Sequence, residues 1–139
     1  MEDSGLWRVT TADLNTLTPY KYVVIFARYR GKWLYCRAES RDTYETAGGH
    51  IEPGETAFDA AKRELYEETG AVEFDITPAF DYSVNQSSGQ VFLAQIRELG
   101  AIPDYETTIT DVGLFDTIPD RMRFPQILPV LFERVREFI

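Results

Sequence analysis

Between Gly49 and Ala71 the chain reads GHIEPGETAFDAAKRELYEETGA, which sets Glu64, Glu67 and Glu68 within one helical turn of each other with Arg63 alongside. The run from Glu55 onward has helical character, with Pro53 and Gly54 as a turn in front and Gly70 as a stop behind. At ~100° per residue, Ala57, Ala61 and Leu65 define an apolar stripe flanked by Phe58 and Ala60, and Glu64 and Glu68 project within or beside it. Asp59, Lys62 and Tyr66 fall on the opposite, solvated face. Like charges at i,i+4 cost a helix roughly 0.2–0.5 kcal/mol, and partial burial of unpaired carboxylates costs several times more. A charge run is ordinarily a solvated face balanced by its own basic residues, here Lys62 and Arg63. That reading fails on geometry, because these carboxylates share the apolar side. Three oxygen-bearing side chains converging without His or Cys suit a hard cation, Mg²⁺ or Mn²⁺, rather than zinc.

The spacing G-x5-E-x7-R-E-U-x-E-E-x-G-U, with U a bulky aliphatic residue, resembles the Nudix box of the Nudix hydrolases. Gly49, Glu55, Arg63, Glu64, Leu65, Glu67, Glu68 and Gly70 each fall on a fixed position, and only Ala71 is smaller than the usual last residue. The resemblance implies that Glu64, Glu67 and Glu68, joined by the carbonyl of Gly48, hold divalent cations that bridge a substrate diphosphate. It further implies a general base at Glu64 or at a later loop acid; Glu106 is the candidate for that later acid and for a further metal ligand, with Asp111 behind it. Glu55 would complete the cluster as a secondary ligand or a partner of Arg63. Arg63 itself orients and neutralises the cluster, being able to pair with Glu67 at i,i+4. Hydrolysis of a diphosphate needs neutralised charge, a water in line with the P–O bond and a stabilised leaving phosphate, all of which bridging Mg²⁺ can supply.

The rest of the chain agrees with one small enzyme domain over residues 1–139. At 139 residues and 44% hydrophobic content, one core is expected, burying about 70% of the unfolded surface. Cys36 is the only cysteine, so no internal disulfide is possible and a reducing cytoplasm is the simplest compartment. No signal peptide or membrane span is visible. A formal net charge of −9 opposes binding to long nucleic-acid duplexes, but it suits a small phosphorylated substrate arriving with its own divalent cation. His50, the single histidine, is either a solvated loop residue or a contact to substrate phosphate.

The elements that must position the box follow from periodicity. After an irregular N-terminus, Tyr22 to Ala27 is a continuous apolar run suited to a strand covered on both faces. Arg30-Gly31-Lys32 turns into a second strand around Trp33 to Arg37. From Phe74 to Asn85 apolar and polar residues alternate, predicting a half-buried strand with Asp75, Asp81 and Ser83 on its polar side. Ser87-Ser88-Gly89 is expected to close a hairpin into Val91 to Arg97, and a last strand is expected near Val112 to Phe115. From Phe124 to Phe138 apolar residues recur at three and four, predicting an amphipathic helix with Pro125 and Pro129 in its first turn or at a bend. Strands, a helix, strands and a final helix give a mixed sheet between helices, and the Nudix α/β/α sandwich is such a fold.

Substrate choice rests on fewer residues. The proline expected some fifteen residues past the box in ADP-ribose enzymes, and the tyrosine of dinucleoside polyphosphate enzymes, are replaced by Gln86 and Ser87. The coenzyme A signature is also missing. What remains resembles the MutT-like group that cleaves nucleoside triphosphates, including oxidised purine forms, and RFPQILPVLF is similar to bacterial members. Phe26, Tyr35, Tyr82 and Phe124 are aromatics available to stack a base, although most strand aromatics belong to a core. The expectation is a Mg²⁺-dependent pyrophosphohydrolase of a nucleoside 5′-triphosphate, such as 8-oxo-dGTP. Removal of pyrophosphate from RNA 5′ ends is the enzymatic alternative, and a non-catalytic nucleotide-binding regulator is the alternative of another class.

Overall fold

The computed structural model describes residues 7–103 and 109–139. In chain order these form β1 (Val9–Ala12), β2 (Tyr22–Tyr29), β3 (Lys32–Ala38), β4 (Tyr44–Glu45), β5 (Ala47–His50), α1 (Ala57–Thr69), β6 (Ala71–Val84), β7 (Ser87–Leu99), β8 (Ile109–Phe115) and α2 (Leu128–Val135), with a 3-10 turn over Arg136–Phe138. All eight strands join one sheet, whose main path is β1-β6-β7-β2-β3-β4, with β5 also paired to β2 and β8 to β3. The sheet is mixed: β2 and β7 run parallel, from Tyr22 opposite Gly89 to Tyr29 opposite Ile96, and the other pairs are antiparallel.

β2 organises the two layers because it is apolar on both sides. Val23, Ile25 and Ala27 enter one core with Ala60, Ala61 and Leu65 of α1. Val24 and Phe26 enter the other with Leu128, Leu131, Phe132 and Val135 of α2. A helix thus covers each face, which is the α/β/α sandwich anticipated from the sequence. β2 is also divided along its length. Its far half, Ala27–Tyr29, pairs with β3, while its near half, Tyr22–Ile25, pairs with β5. This division brings the glycines of β5 beside α1.

Several boundaries differ from the sequence reading. The N-terminal region is not wholly irregular, since β1 pairs with the end of β6. The hairpin turn is Asn85-Gln86, both at positive φ (49° and 79°), so that Ser87 already lies in β7. Asp81 is fully buried rather than solvated, because an irregularity between Pro78 and Phe80 shifts the register of β6. Its carboxylate accepts bonds from the amides of Thr16 (2.8 Å) and Leu17 (2.9 Å), the Tyr20 hydroxyl (2.8 Å) and Gln90 Nε2 (3.2 Å). Burial pushes this carboxyl up, but those donors outweigh it and hold it below its ordinary range. Helix α2 begins only at Leu128, with Pro129 in its first turn, and Phe124 therefore precedes it.

Candidate functional site

Helix α1 is fixed at both ends. Thr56 accepts from the Asp59 amide while the Asp59 side chain accepts from the Thr56 amide, and Gly70 ends the helix in the left-handed conformation at φ 80°. Glu55 is therefore outside the helix, in the preceding loop. Ala60, Ala61 and Leu65 are buried, while Asp59, Lys62 and Tyr66 are exposed as expected. Phe58, placed on the flank of the stripe, is also largely exposed and lies under the Lys62 ammonium at 4.6 Å.

The carboxylates occupy the margin between these faces. The Glu64 side chain is only 12% exposed, and a Cβ on Gly49 would stand 2.3 Å from its Oε2. A Cβ on Gly48 would stand 2.4 Å from the Val23 carbonyl oxygen of β2. Only glycine at both positions lets β5 lie this close to α1 and β2 at once. The Gly48 amide then donates to Glu68 Oε1 at 3.0 Å.

Arg63 distributes its charge unevenly. Its Nε and one NH₂ group grip Glu55 at 2.6 and 2.9 Å, and that NH₂ group also donates to the His50 carbonyl at 3.2 Å. The other NH₂ group reaches Glu64 and Glu67, each at 3.3 Å. The hydrogen bond from Arg63 holds the Glu55 carboxyl below its usual value. Burial raises Glu64 to about 7 despite the opposing pull of Arg63, with Glu67 adding to the rise. Burial likewise raises Glu68 to about 8 against the Gly48 amide, aided by Glu64, Glu45 and Glu67. Among the described residues no basic side chain pairs with Glu68. One guanidinium thus serves three box carboxylates and leaves the most buried one uncompensated.

Such a set fits a hard divalent cation: the donors are all oxygen, and burial raises two of them so that a cation would compete there with protons. No three acidic, histidine or cysteine side chains among the described residues converge closely enough to enclose an ion unaided. The convergence of three carboxylates expected from the sequence is therefore not formed by these side chains as they stand, with Arg63 drawing Glu67 and Glu64 while Glu68 turns to the Gly48 amide.

Glu68, Gly48, Gly49 and His50 line a cavity of about 660 Å³. Phe26 and Tyr82 contribute to its walls and Phe124 to its rim. Glu64 lies behind Gly49, with Arg63, Glu55 and Glu67 grouped around it. Tyr35 is a correction: it is 1% exposed, does not line this cavity, and its hydroxyl donates to the Thr117 carbonyl at 2.9 Å. It is a core residue of the α2 face. Asp111 on β8 is paired with Arg37 at 2.9 and 3.1 Å rather than placed on the cavity wall. Glu106 lies outside the described residues. Sequence reasoning misses Trp7, Glu45 and Arg123, which also line the cavity. Glu45 and Arg123 form an ion pair at 3.1 Å across 78 residues, which no local spacing could reveal.

A carboxylate-bearing helix thus packs against β5 and β2 beside an aromatic-lined cavity. Residues 19–113 match the NUDIX domain family. The chain is 32% identical over 130 residues to YtkD of Bacillus subtilis (strain 168), a candidate 8-oxo-dGTP diphosphatase, covering 84% of this chain and 81% of that protein. It superposes on the crystal structure of the Bacillus subtilis pyrophosphohydrolase BsRppH, a glutamate-to-alanine variant, with a TM-score of 0.73 and 26% identity over 95% of this chain and 90% of that one. A NUDIX hydrolase from Nitrosomonas europaea shares the fold at a TM-score of 0.61 and 20% identity, covering 87% and 90% of the two chains. The chain belongs to the NUDIX family and is a Nudix hydrolase, an enzyme of phosphoric anhydride bonds. No helix among the described residues is long and apolar enough to cross a membrane.

Proposed function

We propose that this protein is a Mg²⁺-dependent pyrophosphohydrolase that cleaves a nucleoside 5′-triphosphate, including an oxidised purine form such as 8-oxo-dGTP, to monophosphate and pyrophosphate. The observation that carries this reading is Glu68, buried and without a basic partner on the wall of an aromatic-lined cavity, with Glu64 directly behind Gly49 of the same wall. Similarity to YtkD supports the substrate class. Glu64, Glu67, Glu68 and the Gly48 carbonyl would hold Mg²⁺, or Mn²⁺ in its place. The bound cation supplies charge neutralisation of the diphosphate and stabilisation of the leaving phosphate.

The chain's own groups do the rest. Glu64 takes the proton of the attacking water, since a buried carboxylate with raised basicity beside a guanidinium can both accept the proton and be stabilised before it does. Arg63 fixes Glu55, Glu64 and Glu67 in one network without reaching the cavity. Tyr82, Phe26 and Phe124 exclude water from the base. The enzyme acts as a single Nudix domain in the cytoplasm, consistent with one fully buried cysteine. Similarity to the pyrophosphohydrolase BsRppH supports removal of pyrophosphate, for which RNA 5′ ends are the second substrate reading.

Turnover of nucleoside triphosphates, 8-oxo-dGTP, ADP-ribose, diadenosine tetraphosphate and triphosphorylated RNA, with Mg²⁺, Mn²⁺ or chelator, tests both. Pyrophosphate release from a free triphosphate is expected and chelator should stop it, whereas an intact panel under both metals would sink the function. Glu67→Gln and Glu68→Gln should each lower kcat by roughly 10²–10⁴, because a neutral amide holds a divalent cation poorly. Kinetics within threefold of wild type for both would remove these residues from the cation site.

A further inference from the structure

The family match spans residues 19–113, yet part of the cavity lining comes from outside that span. Trp7 comes from the N-terminal side and Arg123 and Phe124 from the C-terminal side. Both segments are held firmly. The Arg8 amide donates to Asn85 Oδ1 at 2.7 Å and the Asn85 amide donates to the Arg8 carbonyl at 3.0 Å, which clamps the residue after Trp7 to the β6–β7 turn. The Arg123 amide donates to the Tyr44 carbonyl at 2.9 Å, its guanidinium pairs with Glu45 at 3.1 Å, and the same guanidinium lies 4.8 Å from the centre of the Phe124 ring. The Trp7 and Phe124 rings meet at 6.0 Å with a 35° tilt. Trp7 nevertheless remains 39% exposed. A large aromatic that lines a cavity and stays partly exposed offers a stacking surface, and stacking accepts any base because every base has a π-face.

Resting on the reading of the cavity as a nucleotide site, we propose that Trp7, seated on Phe124, is the shelf on which the substrate's nucleobase stacks. Trp7 is thus a substrate-binding residue that holds any base by its π-face, outside the hydrolytic set.

The test combines kinetics with a binding titration. Trp7→Ala should raise KM for GTP about tenfold, the loss of one base–aromatic stack, and Trp7→Phe should recover most of it. Val130→Ala, on the exposed side of α2, should match wild type. Without turnover, GMP should quench tryptophan emission of the wild-type protein, and the quench should vanish in Trp7→Phe, since Trp33 is only 3% exposed. KM within twofold of wild type in Trp7→Ala, or a quench that persists in Trp7→Phe, would overturn the shelf. The titration also keeps the test readable if Trp7→Ala fails to fold. Loss of turnover across every nucleotide in the wild-type protein would overturn the function instead, and the GMP titration would still decide the shelf.

Discussion

Glu68 carries the largest electrostatic cost on α1. The folded protein holds its proton at about 8, whereas the ordinary carboxyl value is 4.5. Folded chains therefore bind this proton more tightly than unfolded ones, and the group's stabilisation is complete at acidic pH and lost as pH rises through about 8. The metal-free Glu68→Gln protein should melt above wild type at pH 9, with the difference narrowing as pH falls and closing only toward the ordinary carboxyl value of 4.5. Gln can keep the Gly48 hydrogen bond, so the comparison isolates charge. A variant that melts below wild type at pH 9 would mean that Glu68 is compensated by a partner. Asp81 acts in the opposite window, because its depressed carboxyl contributes stability above the ordinary value and loses it as pH falls toward the folded one.

At the scale of elements, β5 and α1 meet through two glycines whose crowding differs in kind. Gly49→Ala would press on a side-chain carboxylate that can swing aside, so the fold should survive while activity falls at least tenfold with the displacement of Glu64. Gly48→Ala would press on the Val23 carbonyl inside the sheet, where nothing can yield, and it should lower the melting temperature markedly. Melting and kinetics of the two proteins check this, and an unstable Gly49→Ala with a stable Gly48→Ala would reverse the assignment. Such close packing marks the limit of what local sequence conveys. Helix α1 is legible because its period, turn and stop are local, and β2 because a short run apolar on both sides is the pattern of a strand covered by two layers. Short β4 and β5 carry no alternation at all, and β5 exists because glycines fit there. The β6–β7 turn falls at Asn-Gln although Ser-Ser-Gly has the stronger turn chemistry. Asp81 reads as solvated in the sequence, since an irregularity in β6 is invisible to a strict period of two. Trp7 is a lone aromatic in a polar stretch, and only the tertiary clamp at Asn85 shows where it goes.

For the whole molecule, a formal charge of −9 means that an anionic substrate approaches an anionic protein. Divalent cation should reverse this locally and stabilise the fold through linkage, by about 2.7 kcal/mol at a hundredfold excess over Kd for one site. Because the cation must displace protons from Glu64 and Glu68, the rise in melting temperature on adding Mg²⁺ should be larger at pH 8 than at pH 6. An equal or smaller rise at pH 8 would place the cation away from these two carboxylates.

The parallel pairing of β2 with β7 also imposes an order of assembly. The β6–β7 hairpin closes through a two-residue turn, whereas Tyr22 must find Gly89 across the whole intervening chain. Loop-closure entropy makes the first event early and the second late. Pulse-labelled hydrogen exchange during refolding should protect hairpin amides before those of Tyr22–Ile25, and simultaneous protection would contradict this order. Since the cavity also takes its rim from residues near 7 and 124, its walls are complete only after distant parts of the chain have met. During synthesis on the ribosome, then, α1 can present its glutamates long before there is a chamber in which they can act.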